Sequence, residues 1–203
     1  MSPGGAERSG KSAGAPGRAT PARIYITGFM GSGKSTVGPL LADALGYEFV
    51  DLDAVIEEKE GRSIPALFEA RGEEAFRAIE QRELALLEAR ARIVVATGGG
   101  ALTNPATLSA LRRGGLLLYL RVPAETLFDR LRGVKGRPMI SGASGLPLDD
   151  DALRDRIIGL LAAREPSYRE SDIVVDAAGQ SPAETVAAVL AALNSLQAPS
   201  TRA

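Results

Sequence analysis

The chain has 203 residues and a formal charge of −1, and it contains neither cysteine nor histidine. This length is enough for one domain with a sizeable core, and the near-neutral charge provides no global basic field for nucleic acid. The missing residue types exclude disulfides, zinc sites built from cysteine or histidine, and histidine-based catalysis. Acid–base chemistry must therefore fall to Asp, Glu, Lys or Tyr, and a bound metal should be a hard cation such as Mg²⁺.

Residues 1–22 are rich in Gly, Ala, Ser, Pro and Arg. Such a segment cannot bury enough apolar surface to offset its ordering entropy, so a disordered tail is predicted. A transit peptide is the alternative, which the lack of amphipathic periodicity disfavours. The folded domain is predicted over 23–196, with a short tail at 197–203. Because no apolar run resembles a membrane span or a signal peptide, we expect a soluble, cytoplasmic protein without nucleic-acid or membrane partners.

From residue 23 onward, short apolar runs alternate with longer helical patterns, which is typical of a parallel sheet covered by helices on both faces. Strands are predicted at about 23–28, 47–51, 92–97, 115–120 and 172–176. Two stretches depart from the alternation, a largely helical insert at 54–90 and a loop at 134–148. Long helices are predicted at 152–168 and 182–196.

The first strand leads into residues 28–35, GFMGSGKS, which match the phosphate-binding pattern G-x-x-x-x-G-K-[ST]. Gly46 would end the helix that follows. The apolar face predicted for this helix consists of Val37, Leu40, Leu41, Ala44 and Leu45. A glycine-rich turn at a helix N-terminus aims backbone N–H groups and the positive end of the helix dipole at one anion. Lys34 would reach the β- and γ-phosphates, and the Ser35 hydroxyl would ligate Mg²⁺.

The second strand is followed by the acidic pair Asp51 and Asp53. Side chains two apart on a strand share a face, and ligands of open α/β sheets bind at the carboxyl edge. A pair of carboxylates beside a phosphate loop suits the organisation of Mg²⁺ and the acceptance of a hydroxyl proton. The alternative is that Asp53 caps the next helix, which would explain only one of the two carboxylates.

In the insert, residues 61–65 interrupt the helical pattern, and Ser63 is the candidate N-cap of the helix that resumes. Arg77 and Glu80 are three residues apart on that helix and can form an ion pair. Taken alone, this pair is expected at the solvated surface. The core candidates of the helix are Phe76, Ile79, Leu84, Leu86 and Leu87.

The third strand ends in three consecutive glycines, Gly98, Gly99 and Gly100. A tight turn needs fewer, so close approach of a ligand to the backbone is favoured over a simple turn. Further along, cations flank or lie within the 134–148 loop. This pattern predicts a lid that closes over a transferring group, and a basic surface loop is the alternative. The cations are Arg130, Arg132, Lys135 and Arg137.

Six segments follow one another in the order and spacing found in shikimate kinases. They are GFMGSGKSTVG at 28–38, DLD at 51–53, GRSI at 61–64 with GEEAFRAIE at 72–80, GGGA at 98–101, GRPM at 136–139, and AAREPSY at 162–168. Residues 23–195 therefore resemble the shikimate kinase family. The resemblance implies an α/β, P-loop kinase fold with a five-stranded parallel sheet flanked by helices, a helical substrate-binding insert and a mobile lid loop.

The activity implied by the resemblance is transfer of a phosphoryl group from ATP to the 3-hydroxyl of shikimate, a step towards aromatic amino acids. ATP and shikimate would be the partners and Mg²⁺ the cofactor, and we expect a monomer. Two other hypotheses remain. Another small-metabolite P-loop kinase, such as a gluconate kinase, should lack the joint set of Asp53, Arg77, the three glycines and Arg164. A non-catalytic nucleotide-binding paralogue should have lost Lys34, Asp53 or Arg137.

The resemblance also implies roles for individual residues around the acceptor and the metal. Ser35 and Asp51 would organise Mg²⁺, Asp51 through a water molecule. Asp53 would accept a hydrogen bond from the reacting hydroxyl as the candidate base. Arg77 and Arg164 would hold the acceptor's carboxylate, because Arg presents a planar pair of donors that Lys lacks. The resemblance thus replaces the surface interpretation of Arg77.

Other implied roles concern the nucleotide and the supports of the acceptor. Glu80 would orient Arg77, and Gly98, Gly99 and Gly100 would bring backbone groups to the acceptor. Arg137 would be the lid arginine at the transferring phosphates and, with Lys34 and Asp53, a catalytic residue. Many relatives carry a cation near the adenine where this chain has Gly179-Gln180. The residues implied to bind the nucleotide are Gly31, Ser32, Gly33, Lys34, Ser35, Thr36, Arg130 and Arg137.

Overall fold

A single parallel sheet forms the centre of the computed structural model, which describes residues 20–134, 138–141 and 148–197. The strands of these ranges lie in the order β2-β3-β1-β4-β5, and every neighbouring pair is parallel. Each strand begins and ends within one residue of its predicted bounds. The strands are β1 (Arg23–Thr27), β2 (Glu48–Asp51), β3 (Ile93–Ala96), β4 (Leu116–Arg121) and β5 (Ile173–Asp176).

Helices connect and flank the strands. Within the described ranges they are α1 (Lys34–Leu45), α2 (Leu52–Glu60), α3 (Ile64–Leu87), α4 (Pro105–Gly114), α5 (Ala124–Leu131), α6 (Asp150–Arg169) and α7 (Pro182–Gln197). Short 3₁₀ turns lie at Ala101–Thr103 and Pro138–Ile140. None of the described helices combines the length and the apolar character that crossing a membrane requires.

The inner strands are buried on both faces, as expected for a parallel sheet covered by helices. All four residues of β3 are buried, and so are the four from Ile24 to Thr27 of β1. The edge strand β5 instead alternates between buried and exposed positions. Burial on both faces therefore explains why the inner strands are continuous apolar runs in the sequence.

The buried face of α1 differs from the predicted one. Val37 and Leu41 are buried as predicted, but Leu40 is 45% exposed and Ala44 is exposed as well. Gly38 and Ala42 are buried in their place, and a Cβ at Gly38 would collide with the Phe49 ring of β2. On α3, Leu86 is 56% exposed, which corrects its assignment to the core. The C-cap predicted at Gly46 is confirmed by its left-handed conformation.

The insert consists of α2 and α3, which pack against each other. Gly61 ends α2 with φ 61°, and the Ser63 hydroxyl accepts a hydrogen bond from the Ala66 N–H at 3.4 Å, which confirms the predicted cap. Gly72 interrupts α3 with φ 79° and ψ 174°, a conformation that favours glycine. The chain therefore bends at Gly72, which divides α3 into two helical parts.

Residues 1–19, 135–137, 142–147 and 198–203 are not described. The predicted tails at 1–22 and 197–203 lie almost entirely outside the described residues and stay predictions. The last residues before β1 are bound to the domain. The Pro21 carbonyl accepts a hydrogen bond from the Tyr47 hydroxyl at 3.0 Å, and the Ala22 carbonyl accepts one from the Arg92 N–H at 2.6 Å.

We predict that Gly115→Ala destabilises the fold. A Cβ at Gly115 would lie 2.6 Å from the Arg23 carbonyl oxygen, and this backbone atom of β1 cannot move aside. Overpacking of this kind costs about 1–3 kcal/mol of the free energy of unfolding, which thermal and denaturant melts would measure. Gly159→Ala is the control, because nothing lies within 4 Å of a Cβ there. That helical substitution should stabilise the protein by roughly 0.5–1 kcal/mol, and equal melts for both variants would contradict the prediction.

Candidate active site

A cleft of about 530 Å³ opens at the carboxyl edge of the sheet. This is the edge at which open α/β sheets bind their ligands. The glycine-rich loop before α1, the insert and Arg164 of α6 are all among the parts of the chain that line it. Most of the residues singled out from the sequence meet in this one cleft.

The loop between β1 and α1 has the backbone conformation that its glycines allow. Gly28, Gly31 and Gly33 have φ of 145°, 80° and 98°. A Cβ at Gly28 would lie 2.8 Å from both the Leu120 carbonyl oxygen and the Ser32 hydroxyl, so this position cannot carry a side chain. Within the described residues, the buried Ser32 hydroxyl has no hydrogen-bond partner. The loop therefore presents polar groups at a helix N-terminus, which is suited to an anion.

Two cations lie against this loop. Lys34 Nζ donates to the carbonyl oxygens of Gly28 at 2.9 Å and Phe29 at 3.1 Å. Arg130, near the end of α5, donates to the Gly31 carbonyl at 2.8 Å. Both side chains also line the cleft. Positive charge is thus concentrated where a nucleotide's phosphates would lie.

The two carboxylates after β2 are arranged differently from the prediction. Asp51 is the last residue of β2, whereas Asp53 lies in the first turn of α2, so the two do not share a strand face. Asp51 caps α2, because its Oδ1 accepts hydrogen bonds from the N–H groups of Asp53 at 3.1 Å and Ala54 at 3.4 Å. The capping role considered for Asp53 therefore belongs to Asp51. Both residues line the cleft, which agrees with the predicted acidic pair beside the phosphate loop.

The Ser35 hydroxyl donates to Asp51 Oδ2 at 2.8 Å. This contact places two oxygen donors side by side at the start of α1, next to the glycine-rich loop. The described part of the chain contains no group of three or more His, Cys, Asp or Glu side chains that could hold a metal. A cation here would need further oxygens from water or from a bound phosphate group, which is how Mg²⁺ is usually held.

Arg77 and Glu80 form a partly buried ion pair at the cleft, so the surface interpretation of this pair is wrong. Arg77 Nη1 donates to Glu80 Oε2 at 2.8 Å, and Glu80 is only 1% exposed. The guanidinium also contacts Glu73 at 3.2 Å and lies 5.3 Å from the centre of the Phe76 ring. Burial raises the pKa of Glu80, although Arg77 opposes this effect, and the nearby Asp53 carboxylate adds to it.

Arg164 reaches the cleft from α6 and is 6% exposed. Its guanidinium lies 5.6 Å from the centre of the Phe29 ring in the glycine-rich loop. This cation–π contact joins α6 to the glycine-rich loop. Sequence spacing alone places Arg164 some ninety positions from Arg77, yet both guanidinium groups line the same cleft.

The three glycines after β3 make room for these side chains. A Cβ at Gly98 would lie 2.6 Å from Glu80 Oε1 and 3.2 Å from Asp53 Oδ1. One at Gly100 would lie 2.2 Å from Arg77 Nη2, and one at Gly99 would lie 3.5 Å from Arg164 Nη1. Close approach of a ligand to this turn is the prediction from the sequence, and it stays a prediction. In the structure, charged side chains of the protein itself come close to the turn.

The loop cations are only partly described. Arg137 and Lys135 lie outside the described residues, so the predicted lid arginine stays a prediction. Arg132 is solvent-exposed and pairs with Asp150 at 3.0 Å. Met139 lines the cleft, and its carbonyl accepts a hydrogen bond from Arg156 Nε at 2.9 Å.

Sequence patterns did not single out the apolar wall of the cleft. Phe68 and Phe76 stack across the bend at Gly72 with ring centres 4.7 Å apart. In the sequence they look like any other core positions of an amphipathic helix, because a helical period does not distinguish a cleft from a core. At the opposite end, residues near the start of α7 also line the cleft, among them Gln180 and Thr185.

The family model for shikimate kinase matches residues 30–194 of this chain. The chain belongs to the shikimate kinase family. A shikimate kinase from Chlorobium chlorochromatii is 47% identical over 156 residues, which are 77% of this chain and 82% of that relative. The enzyme is therefore a phosphotransferase and an ATP-binding kinase of the shikimate pathway, as predicted.

Solved structures confirm the predicted P-loop kinase fold. Shikimate kinase from Acinetobacter baumannii, in complex with shikimate, superposes with a TM-score of 0.78 and 36% identity, covering 88% of this chain and 96% of that one. A gluconokinase from Sinorhizobium meliloti superposes with a TM-score of 0.55 at 24% identity, covering 89% of this chain and 95% of that one. The latter similarity shows a shared fold and nothing more.

We predict that Gly100→Ala separates acceptor binding from nucleotide binding. The new Cβ would displace the Arg77 guanidinium and weaken its ion pair with the buried Glu80, so the melting temperature should also fall. Loss of a charge-assisted contact should weaken binding of shikimate, the ligand of the Acinetobacter enzyme, by roughly ten- to a hundredfold. Titration calorimetry with shikimate and with ATP would measure both affinities. The Gly159→Ala variant serves as control, and equal weakening of ATP binding would contradict the prediction.

Proposed function

We propose that this chain transfers the γ-phosphoryl group of ATP to the 3-hydroxyl of shikimate, with the residues assigned below. One observation carries the assignment: Arg77, Arg164 and Asp53 converge on the Gly98–Gly100 turn, beside a phosphate-binding loop. An acceptor with a carboxylate and a nearby hydroxyl matches two guanidinium groups and one carboxylate.

The assignment gives the glycine-rich loop to the nucleotide. Backbone N–H groups of residues 31–36 would surround the phosphates at the N-terminus of α1. Lys34 would exchange its two carbonyl contacts in the loop for phosphate oxygens, which are stronger acceptors because they carry charge. Arg130 and Arg137 would add positive charge, Arg130 from the end of α5 and Arg137 from the predicted lid.

Mg²⁺ is part of the proposal. The Ser35 hydroxyl and the Asp51 carboxylate offer adjacent hard oxygen donors, which suits a cation that keeps several waters and shares the phosphates of its nucleotide. Asp51 Oδ1 caps α2, and Oδ2, which accepts the hydrogen bond from Ser35, has a further lone pair that could face the metal or its water. When bound, the cation would neutralise negative charge on the transferring phosphates.

Asp53 is the proposed base. Its carboxylate faces the same glycine as the buried Glu80 carboxylate, and both arginines lie close by. The acceptor's carboxylate would orient the ring on Arg77 and Arg164, so that the reacting hydroxyl donates its hydrogen bond to Asp53. Phosphoryl transfer depends mainly on such positioning and on charge stabilisation, and both are supplied here by fixed groups.

The monomeric state and the cytoplasmic location stay predictions. A non-catalytic paralogue was expected to lack Lys34, Asp53 or Arg137, and all three are present in the sequence. An assay of ADP release with a panel of hydroxy acids tests the acceptor directly. Shikimate should be the preferred substrate, and preference for gluconate would overturn the proposal.

We predict that Lys34→Met lowers turnover by roughly two to three orders of magnitude, as expected for the loss of one preorganised donor to the transition state. The fold should persist, because the hydrogen bonds that Lys34 donates to the Gly28 and Phe29 carbonyls stay within its own loop. Steady-state rates and circular dichroism would measure the two effects. Turnover close to that of the wild type would contradict the assignment of the loop.

We predict that Arg77→Ala and Arg164→Ala each weaken shikimate binding by roughly ten- to a hundredfold or more, since each removes charge-assisted hydrogen bonds. ATP binding should change little, and replacement by Lys should rescue only part of the loss because the planar fork is missing. Calorimetry for both ligands provides the measurement.

Arg137→Ala is the contrasting variant. It should lower turnover with little effect on shikimate affinity, as expected for a lid cation that acts on the transferring group. If Arg77→Ala and Arg164→Ala instead weaken ATP and leave shikimate binding intact, the carboxylate-clamp assignment is wrong.

A further inference from the structure

An ion-pair network connects the two parts of α3 that Gly72 separates. Glu60, the last residue of α2, accepts a hydrogen bond at its Oε2 from Arg71 Nη1 at 2.8 Å. Its Oε1 accepts one from Arg82 Nη2 at 3.0 Å. These hydrogen bonds from Arg82 and Arg71 lower the pKa of Glu60, so the carboxylate is charged at neutral pH. Because Arg71 precedes the bend and Arg82 follows it, a single carboxylate holds both parts of the helix.

Glu83 extends this network to a second carboxylate. It is 3% exposed and accepts hydrogen bonds from Lys59 Nζ at 2.5 Å and from Arg82 Nε at 3.0 Å. Each carboxylate is therefore held by two cations, and Arg82 is shared between them. A single exposed ion pair contributes little, whereas a network of several charges can fix a geometry. We refer to Lys59, Glu60, Arg71, Arg82 and Glu83 as the insert clamp.

The backbone at the bend does not fix the angle between the two parts of α3. Gly72 lacks a side chain that would restrict its dihedral angles, and its φ and ψ are not helical. On the cleft side, the Phe68 and Phe76 rings stack across the bend. All five residues of the insert clamp are described, and none of them lines the cleft. The angle therefore depends on ring stacking at the cleft and on the insert clamp away from it.

Both helices joined by the insert clamp also carry residues of the proposed acceptor site. The helix α2 has Asp53 in its first turn and Lys59 and Glu60 at its end. The part of α3 that follows the bend carries Arg77 as well as Arg82. A shift of this part relative to α2 would therefore move the Arg77 guanidinium relative to the Asp53 carboxylate.

We infer that Glu60 is a positioning residue of the acceptor site. Its carboxylate joins Arg71 to Arg82 across the bend. It thereby sets where α3 presents Arg77 relative to Asp53 on α2. Charge-assisted hydrogen bonds to a carboxylate depend on geometry, so a misplaced Arg77 would bind the acceptor's carboxylate less tightly. The inference rests on the proposed roles of Arg77 and Asp53 in acceptor binding.

The variant Glu60→Gln tests the inference, because it keeps the shape of the side chain and removes its charge. The KM for shikimate should rise by roughly two- to fivefold, as expected when two exposed ion pairs are lost. Turnover and the KM for ATP should change little. Steady-state rates with each substrate varied in turn would measure these effects.

Glu58→Gln is the matched control. It makes the same change in net charge on the same helix, at an exposed residue that forms no ion pair within the described part of the chain. Both KM values of this variant should equal those of the wild type. An unchanged KM for shikimate in Glu60→Gln, an equal rise in both of its KM values, or the same effect from Glu58→Gln would overturn the inference.

Arg71→Gln breaks the network on the other side of the bend, while Glu60 keeps its contact with Arg82. It should also raise the KM for shikimate, because the two parts of α3 would no longer share a carboxylate. A purely structural network would instead lower the melting temperature of both variants and leave their KM values unchanged, which would contradict the inference.

Coupling to Arg77 is the last part of the test. In an Arg77→Ala background, Glu60→Gln should have little further effect on the KM for shikimate, because the guanidinium that it positions is absent. Additive effects of the two substitutions would overturn the inference. Failure of the proposed function is distinguishable, because Arg77→Ala alone would then leave shikimate affinity unchanged whatever the Glu60 variant does.

Discussion

The absence of side chains on the turn after β3 is the constraint on which the site depends. Glu80, Asp53 and Arg77 lie where a Cβ on Gly98 or Gly100 would be, at 2.6, 3.2 and 2.2 Å. These groups come from α2 and α3 and converge because the turn takes up almost no volume. The glycines are thus required for space rather than for an unusual backbone conformation, unlike those of the phosphate-binding loop, where positive φ angles are needed.

Charge is concentrated around this turn at an energetic cost. Glu80 is nearly fully buried, and within the described residues its Oε1 lacks a hydrogen-bond partner, while Oε2 is held by Arg77. Removing a charge from water is costly, and a buried ion pair is therefore weak evidence for stability. The ion pair orients Arg77 instead. Glu80 and Glu73 hold the Arg77 guanidinium so that one edge of it lies at the cleft. Arg164, packed over Phe29, is oriented from the opposite side.

The cleft is lined by segments that are attached to the sheet in different ways. The phosphate-binding loop and the β3 turn are attached to buried inner strands, so their relative position is set by the sheet. The insert, in contrast, is connected through the bend at Gly72 and the ends of α2. The phosphate-binding loop is therefore positioned by the sheet, and Arg77 and Glu80 are positioned by the part of α3 that follows the bend.

The sequence alone determined the sheet, because the inner strands of a parallel sheet are continuous apolar runs. It also determined the phosphate-binding loop, because the glycines and the lysine of this loop lie next to one another in the chain. The sequence also singled out Arg77, Glu80 and the three glycines as candidate site residues. The family motifs then indicated that they belong to one site. Only the tertiary structure decided that Asp51 rather than Asp53 caps α2, that Leu40 and Leu86 face solvent, and that the Arg77–Glu80 pair is buried. Packing also decides the hydrogen bond from the Tyr168 hydroxyl of α6 to the Gly99 carbonyl of the turn after β3, because local spacing does not encode contacts between distant segments.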